Sequence, residues 1–355
     1  MSQHIVLKIL LAPLTLLYGM IIGARNVLYE SGLLKSSKFS MPIIGVGNLS
    51  MGGSGKTPHV EYLIHLLKPY INIGVLSRGY LRKTTGYKEV TQANTVDEVG
   101  DEPLQYKLKF PDVVVSVSER RALGIPMMLS HYPDLQTVLL DDAFQHRAIS
   151  PSLNILLTDY KFPYTKDYLI PSGRLREGRA AASRADVIIV SKCPKDISLE
   201  ERQEWKEKLT YKNDVKVFFS TYEYGTPYHM YDTKRKINLD LDTHAILISG
   251  IAKPIYLEEY VASKVGVVNI HSYEDHHNFS PHEVSLVNRA MQELDGDKKI
   301  VITTEKDSTR LDKHREFLQE HDIPVYILPI RVKFLDEEGQ SFDNFVKDFL
   351  LNFKT

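Results

Sequence analysis

Three glycines and a lysine mark the first place where this chain could do chemistry. After the apolar run PIIGVG (42–47) the sequence reads NLSMGGSGKTP (48–58). Gly52, Gly53 and Gly55 leave the backbone free of Cβ crowding, so its amides can turn inward onto phosphate oxygens. Lys56 and the N-terminus of a following helix would add positive charge. Thr57 offers a hydroxyl to Mg²⁺. The strict pattern G-x-x-x-x-G-K-[ST] calls for Gly where Ser50 stands. A glycine turn with no ligand is the plainer alternative.

Two acidic pairs could serve such a loop. TVLLDD (137–142) puts Asp141 and Asp142 at the C-terminal end of an apolar strand, where open α/β sheets have their ligand crevice. An acid there can hold Mg²⁺ directly or through water. The same two residues could instead close a turn or cap a helix. In VGDEP (99–103), Asp101 could accept a proton from an attacking hydroxyl and Glu102 could support the metal. The competing role is a helix start, with first-turn acids and Pro103.

Positioning these groups takes a scaffold, and the chain has the pattern for one. PIIGVG, INIGVLS (71–77), DVVVSVS (112–118), TVLLDD, LNILLTD (153–159) and DVIIVSK (186–192) are apolar throughout rather than alternating. That suits strands buried on both faces. Helix-length stretches separate most of them, which predicts a mostly parallel α/β sheet. From about Lys216 the texture changes. KVFFSTYEYG reads as a β-ribbon or linker, and HAILISG (244–250), VGVVNIHS (265–272), KIVITT (299–304) and PVYILPI (324–330) predict a second, smaller α/β unit. The expected domains are 1–38, 39–213 and 214–355.

Composition narrows the function classes. The 355 residues are 43% apolar and 25% charged, which excludes a disordered or collagen-like chain. With 44 basic and 45 acidic residues the net charge is −1, so no whole-protein field exists for gripping nucleic acid. One cysteine, Cys193, cannot form an intrachain disulfide and fits a reducing compartment. The 13 histidines show no zinc-like spacing with acids.

The N-terminus stands apart. Ile9 to Ala24 carries no charge, over 16 residues. That is short of the roughly 20 that a spanning helix needs. Lys8, Arg25, Lys35 and Lys38 flank the run against only Glu30. Basic flanks suit anionic headgroups and an apolar face could enter the acyl boundary, so a membrane-associated helix is one reading. A buried core helix is the other. A cleaved signal peptide fits poorly, since the run leads directly into the glycine-rich loop.

Taken together, GNLSMGGSGKTP (47–58), SRGY (77–80), VGDEP, DDAFQHR (141–147), PSGRLRE (171–177), DHHNF (275–279) and TTEKD (303–307) resemble the tetraacyldisaccharide 4′-kinase family of lipid A synthesis. The resemblance spans most of the chain. It implies a P-loop NTPase-like, mostly parallel sheet flanked by helices, a second α/β domain and an N-terminal membrane-associated helix. It implies transfer of phosphate from ATP, with Mg²⁺, to the 4′-hydroxyl of a membrane-embedded lipid A disaccharide. The expected location is the cytoplasmic face of the bacterial inner membrane, with a monomer and no nucleic-acid partner.

By the same resemblance, Ser50, Met51, Gly52, Gly53, Ser54, Gly55, Lys56, Thr57 and Gln145 contact the nucleotide. Thr57, Glu102, Asp141 and Asp142 are the metal set. Asp101 and His276 form the proton-accepting pair, and Arg121 and Arg176 are expected to neutralise phosphate charge, with Arg120 competing with Arg121. Arg78 is a further candidate. Glu177 matches the Glu of the family's LRE element. His277 is expected to be solvated or structural. Ala143 and Gly178 depart from the family's usual Gly and Pro, which concerns backbone shape rather than reacting groups. The rival readings are a soluble ligase of the dethiobiotin-synthetase type and a membrane-associated regulatory GTPase. SKCP (191–194) weakens the second, because Pro194 replaces the carboxylate that would read guanine.

Overall fold

The structure, a computed structural model, describes residues 2–210 and 214–354. Among them the strands form two sheets. The first contains β1 (Ile43–Asn48), β2 (Ile73–Ser77), β3 (Lys88–Glu89), β4 (Val114–Val117), β5 (Thr137–Asp141), β6 (Leu153–Asp159), β7 (Val187–Ser191) and β8 (Lys216–Tyr224). The second contains β9 (Tyr228–His229), β10 (Asp232–Lys236), β11 (Thr243–Ser249), β12 (Val267–Ser272), β13 (Lys298–Thr304) and β14 (Val325–Leu328). The chain then returns to the first sheet as β15 (Ile330–Phe334).

The order of the first sheet is β15-β8-β7-β6-β1-β5-β2-β4-β3, parallel from β8 to β4 with antiparallel edges at β3 and β15. The centre is buried on both faces, as the unbroken apolar runs predict. Ile44 and Val46 face one core with Val60 and Ile64, while Ile43 faces the other with Leu76 and Ile125. The register Val46↔Asp141 brings the acidic end of β5 level with the exit of β1. Consecutive segments β5 and β6 lie on opposite sides of β1. The crevice at this reversal is where an α/β sheet takes a ligand.

The second sheet runs β10-β9-β14-β13-β11-β12, parallel from β14 to β12. KVFFSTYEYG, expected as a ribbon or linker, is instead β8, parallel to β7. Its Phe218 and Phe219 are buried on opposite faces of the first sheet. Residues 330–351, expected with the second unit, also belong to the first. β15 pairs with β8, and the helix Glu338–Leu351 packs Phe342 and Val346 into the core that holds Phe218 and Phe334. The expected boundary at 213 lies outside the described residues. The physical reason for the return is apolar area: the β8 edge offers an uncovered face that the C-terminal helix buries.

The N-terminal helix runs Ser2–Glu30, longer than its uncharged stretch. The window Leu10–Glu30 has mean hydropathy 1.4 and none of it is buried. Leu10, Leu14, Leu16, Leu17, Met20 and Ile21 are each more than half exposed, so this is not a core helix.

Candidate active site

The loop after β1 has the shape that its glycines predict. Gly52, Gly53 and Gly55 have φ of 66°, 66° and 86°, in the left-handed region that favours glycine. Its outer side is braced. Asn48 Nδ2 donates to Ser54 Oγ at 2.7 Å, Ser191 Oγ donates to the Ser54 carbonyl at 2.8 Å, and Lys192 Nζ donates to the Gly53 carbonyl. His59, on the helix Lys56–Leu67, donates from Nδ1 to the Gly55 carbonyl at 2.7 Å and accepts at Nε2 from Ser220 Oγ at 3.0 Å. Burial lowers its pKa to about 4, so the ring is neutral. Held this way, the loop amides and the start of that helix face the cleft between the two sheets.

Lys56 Nζ reaches Asn48 Oδ1 at 3.3 Å and Asp142 at 3.7 Å. Arg176 forks onto Asp142, donating to Oδ2 at 3.0 Å and to Oδ1 at 2.8 Å, and also donates to Asn48 Oδ1. Burial would raise the Asp142 pKa, but Lys56 and Arg176 outweigh it and hold the carboxyl well below the usual range. Asp141 is 3% exposed and its pKa is raised by burial and by Asp142. Its Oδ2 accepts from Ser77 Oγ at 3.3 Å, while Oδ1 is buried with no hydrogen-bond partner.

On the opposite wall the two sheets meet. Asp101 begins the helix Asp101–Lys109 and is 2% exposed. His276 Nδ1 donates to Asp101 Oδ2 at 2.8 Å. Lys306 Nζ donates to His276 Nε2 at 3.2 Å, and it lies 3.0 Å from Glu102 and 3.2 Å from Asp275. A carboxylate can only accept and an ammonium can only donate, so the ring is the Nδ1–H tautomer. Arg310 donates to Asp101 Oδ2 from Nε at 3.1 Å and Nη2 at 2.8 Å. Burial would raise the Asp101 pKa, but Lys306 and the His276 hydrogen bond prevail and keep it well below the carboxylate range. For Glu102, burial and then Asp101 lift the pKa to about 7. Burial alone would lower the His276 pKa, and the hydrogen bond to Asp101 turns the net shift upward.

The expected site residues fall into three groups. Lys56, Thr57, Glu102, Arg121, Asp141, Asp142, Gln145, Arg176 and His276 line one cleft with Met51 to Gly55. Ser50, beside the loop, bridges to Leu175 on the segment that carries Arg176. Asp101 lies behind His276 rather than on the cleft wall. Some of these residues also hold other parts of the site in place. The Gln145 amide nitrogen donates to the Asn48 carbonyl at 2.8 Å and fixes the strand exit, while its Oε1 has no hydrogen-bond partner among the described residues. Arg121, buried, donates to the carbonyls of Asp141 and Asp142 at 3.2 and 2.8 Å and shapes their turn, while Arg120 is exposed. Asp142 and Glu102 each lie beside cations, and Asp141 has an oxygen with no hydrogen-bond partner among the described residues.

Asn48, Lys192, Lys306 and Arg310 are site residues without an expected role. The last two stand four apart on the helix Glu305–Leu311, which puts them on one face. That spacing after the strand KIVITT was a usable signal. Nothing local marks Lys192, whose partners are remote in sequence, or the contacts that Asn48 makes with Arg176 and Gln145.

Comparison with known proteins places this site in context. Residues 7–350 match the family model described as tetraacyldisaccharide-1-P 4′-kinase. The tetraacyldisaccharide 4′-kinase of Bacteroides thetaiotaomicron is 38% identical over 347 residues, 95% of this chain and 91% of that protein. That of Parabacteroides distasonis is 41% identical over 347 residues, 95% and 94%. The crystal structure described as the "apo" form of LpxK from Aquifex aeolicus in complex with ATP superposes with a TM-score of 0.73. It is 30% identical in sequence, and the match covers 97% of this chain and 99% of that one.

Proposed function

The chain belongs to the tetraacyldisaccharide-1-P 4′-kinase family, and we propose that it works through the Asp101–His276 pair and the glycine loop. It is an ATP-dependent kinase that phosphorylates the 4′-hydroxyl of a tetraacyldisaccharide 1-phosphate in lipid A synthesis. The ligase and GTPase readings are set aside.

The observation that carries the mechanism is the meeting of Asp101 and His276 at 2.8 Å across the two sheets, opposite the glycine loop. Phosphoryl transfer needs positioning and charge neutralisation more than covalent chemistry. The loop amides of Gly52–Thr57 and Lys56 hold the ATP phosphates. The acceptor hydroxyl enters at His276, on the cleft wall, and its proton passes to the pair. Nε2 takes it while the Asp101 carboxylate stabilises the imidazolium. For this Lys306 must release Nε2, and Glu102 and Asp275 are there to retain its ammonium.

Mg²⁺ fits the residues present. The buried Asp141 carboxylate has an oxygen without a partner, and Thr57 supplies a second hard oxygen donor. When bound, the ion would draw charge from the β- and γ-phosphates. Asp142, held by Lys56 and Arg176, fixes those two cations instead of ligating. Arg176 and the exposed Arg78 face the cleft as phosphate partners.

The lipid acceptor enters from the N-terminal helix, whose Tyr18, Ile22 and Arg25 line the same cleft. We place this helix on the cytoplasmic face of the inner membrane, with its exposed leucines in the acyl region and the protein as a monomer. The test is incubation of the purified protein with γ-labelled ATP, Mg²⁺ and a lipid A disaccharide 1-phosphate in detergent. Label is expected on the lipid. No transfer to it, with ATP consumed by another acceptor, would overturn the reading.

A further inference from the structure

Arg310 is enclosed at 1% exposure, one of the largest fully buried side chains among the described residues. A buried guanidinium persists only where its donors are satisfied. Here its partners come from both sides of the active site. Nε and Nη2 converge on Asp101 Oδ2, on the helix from the first sheet. Nη1 donates to the carbonyls of Gly250 and His277 at 3.2 and 3.1 Å. Gly250 follows β11, and its carbonyl also accepts the amide of His276 at 3.2 Å. His276 itself has φ of 62°, a conformation that non-glycine residues hold only under restraint. Asp307, 3.2 Å from Nη1, balances the group from its own helix. One planar fork therefore touches the carboxylate of the pair and the main chain beside the histidine.

We infer that Arg310 is a positioning residue for phosphoryl transfer, setting Asp101 against His276 when the second sheet docks on the first. With Oδ2 accepting from His276 and twice from Arg310, the carboxylate cannot rotate without breaking three bonds. Among the described residues its Oδ1 accepts only the Glu102 amide, at 2.9 Å. Lysine could replace the charge but not the fork, because an ammonium is a point donor on a flexible stem. The inference rests on the Asp101–His276 reading.

A cycle of R310K, D101N and the double variant tests it, with R310M as the harsher truncation. R310K keeps a buried cation, so near-ultraviolet circular dichroism should match the parent even if R310M unfolds. R310K is expected to lower kcat about 100-fold, the scale of a misplaced catalytic group, and to leave KM for ATP unchanged. The double variant should be no slower than D101N, because residues that act as a unit are not additive. Unchanged kcat in R310K, a rise in KM for ATP in place of the fall in kcat, or multiplying losses would each overturn the positioning role. Full activity in D101N alone would instead overturn the Asp101–His276 reading beneath it.

Discussion

At the scale of single residues, the chemistry of this site comes from groups whose charge is set by burial and by partners. His59 shows this without touching the phosphates. Its neutral ring joins the Gly55 carbonyl to Ser220, tying the glycine loop to β8. The pKa is lowered from 6.5 to about 4 by burial. The unfolded chain therefore takes up a proton below about pH 6.5 while the folded chain does not, and stability falls as pH drops from 6.5 towards 4. About 1.4 kcal/mol per unit gives a loss of roughly 3 kcal/mol from this group. Urea midpoints at pH 5 and pH 7.5 should differ less in His59→Gln than in the parent. An equal pH dependence in both would refute the assignment. Lys56 and Asp141 were legible from the sequence because a phosphate loop and a strand-end acid have local signatures. The partners that tune them were not.

At the scale of elements, the N-terminal helix is both an exposed apolar surface and a wall of the active site. Tyr18 donates to the Arg176 carbonyl at 2.8 Å, and Arg25 donates to the Gln145 carbonyl at 2.9 Å and pairs with Glu177 at 3.4 Å. Thr15 and Ser172 share a hydrogen bond at 2.6 Å. The segment that presents Arg176 thus leans on the helix that would meet lipid. Deleting residues 1–24 should release the protein from anionic vesicles in a flotation assay and also lower kcat for the lipid acceptor in detergent. Persistent flotation with the vesicles would refute the membrane role. The sequence alone left this helix between a membrane and a core, since a 16-residue apolar run satisfies either. Its exposure decides against the core.

At the scale of the whole molecule, two sheets share one site and ion pairs cross between them. Lys109, on the helix that begins with Asp101, is 2.8 Å from Glu61 of the first sheet's layer and 2.8 Å from Glu305 of the second. Both acids are mostly buried, so removing the cation leaves two carboxylates without compensation. Lys109→Met should cost roughly 3 kcal/mol in denaturant unfolding. An unaltered midpoint would show that this bridge does not hold the sheets together. The glycine loop is part of the same contact. A Cβ on Gly52 would stand 2.9 Å from the Ala252 Cβ, so the second sheet's loop rests directly on the phosphate loop.

What the sequence determined by itself was a set of candidate reacting groups and the parallel sheet beneath them. Strands buried on both faces must be apolar throughout, and a phosphate loop must be glycine-rich, so both leave contiguous marks. Tertiary structure alone decided which partners these groups meet. It set Asp142 against Arg176, tied Arg121 and Gln145 to backbone carbonyls, and brought Arg310 onto Asp101 across 209 positions of chain. It also carried β8 and the C-terminal helix back to the first sheet. Coulomb and hydrogen-bond energies depend on distance in space, and a linear pattern holds no record of it.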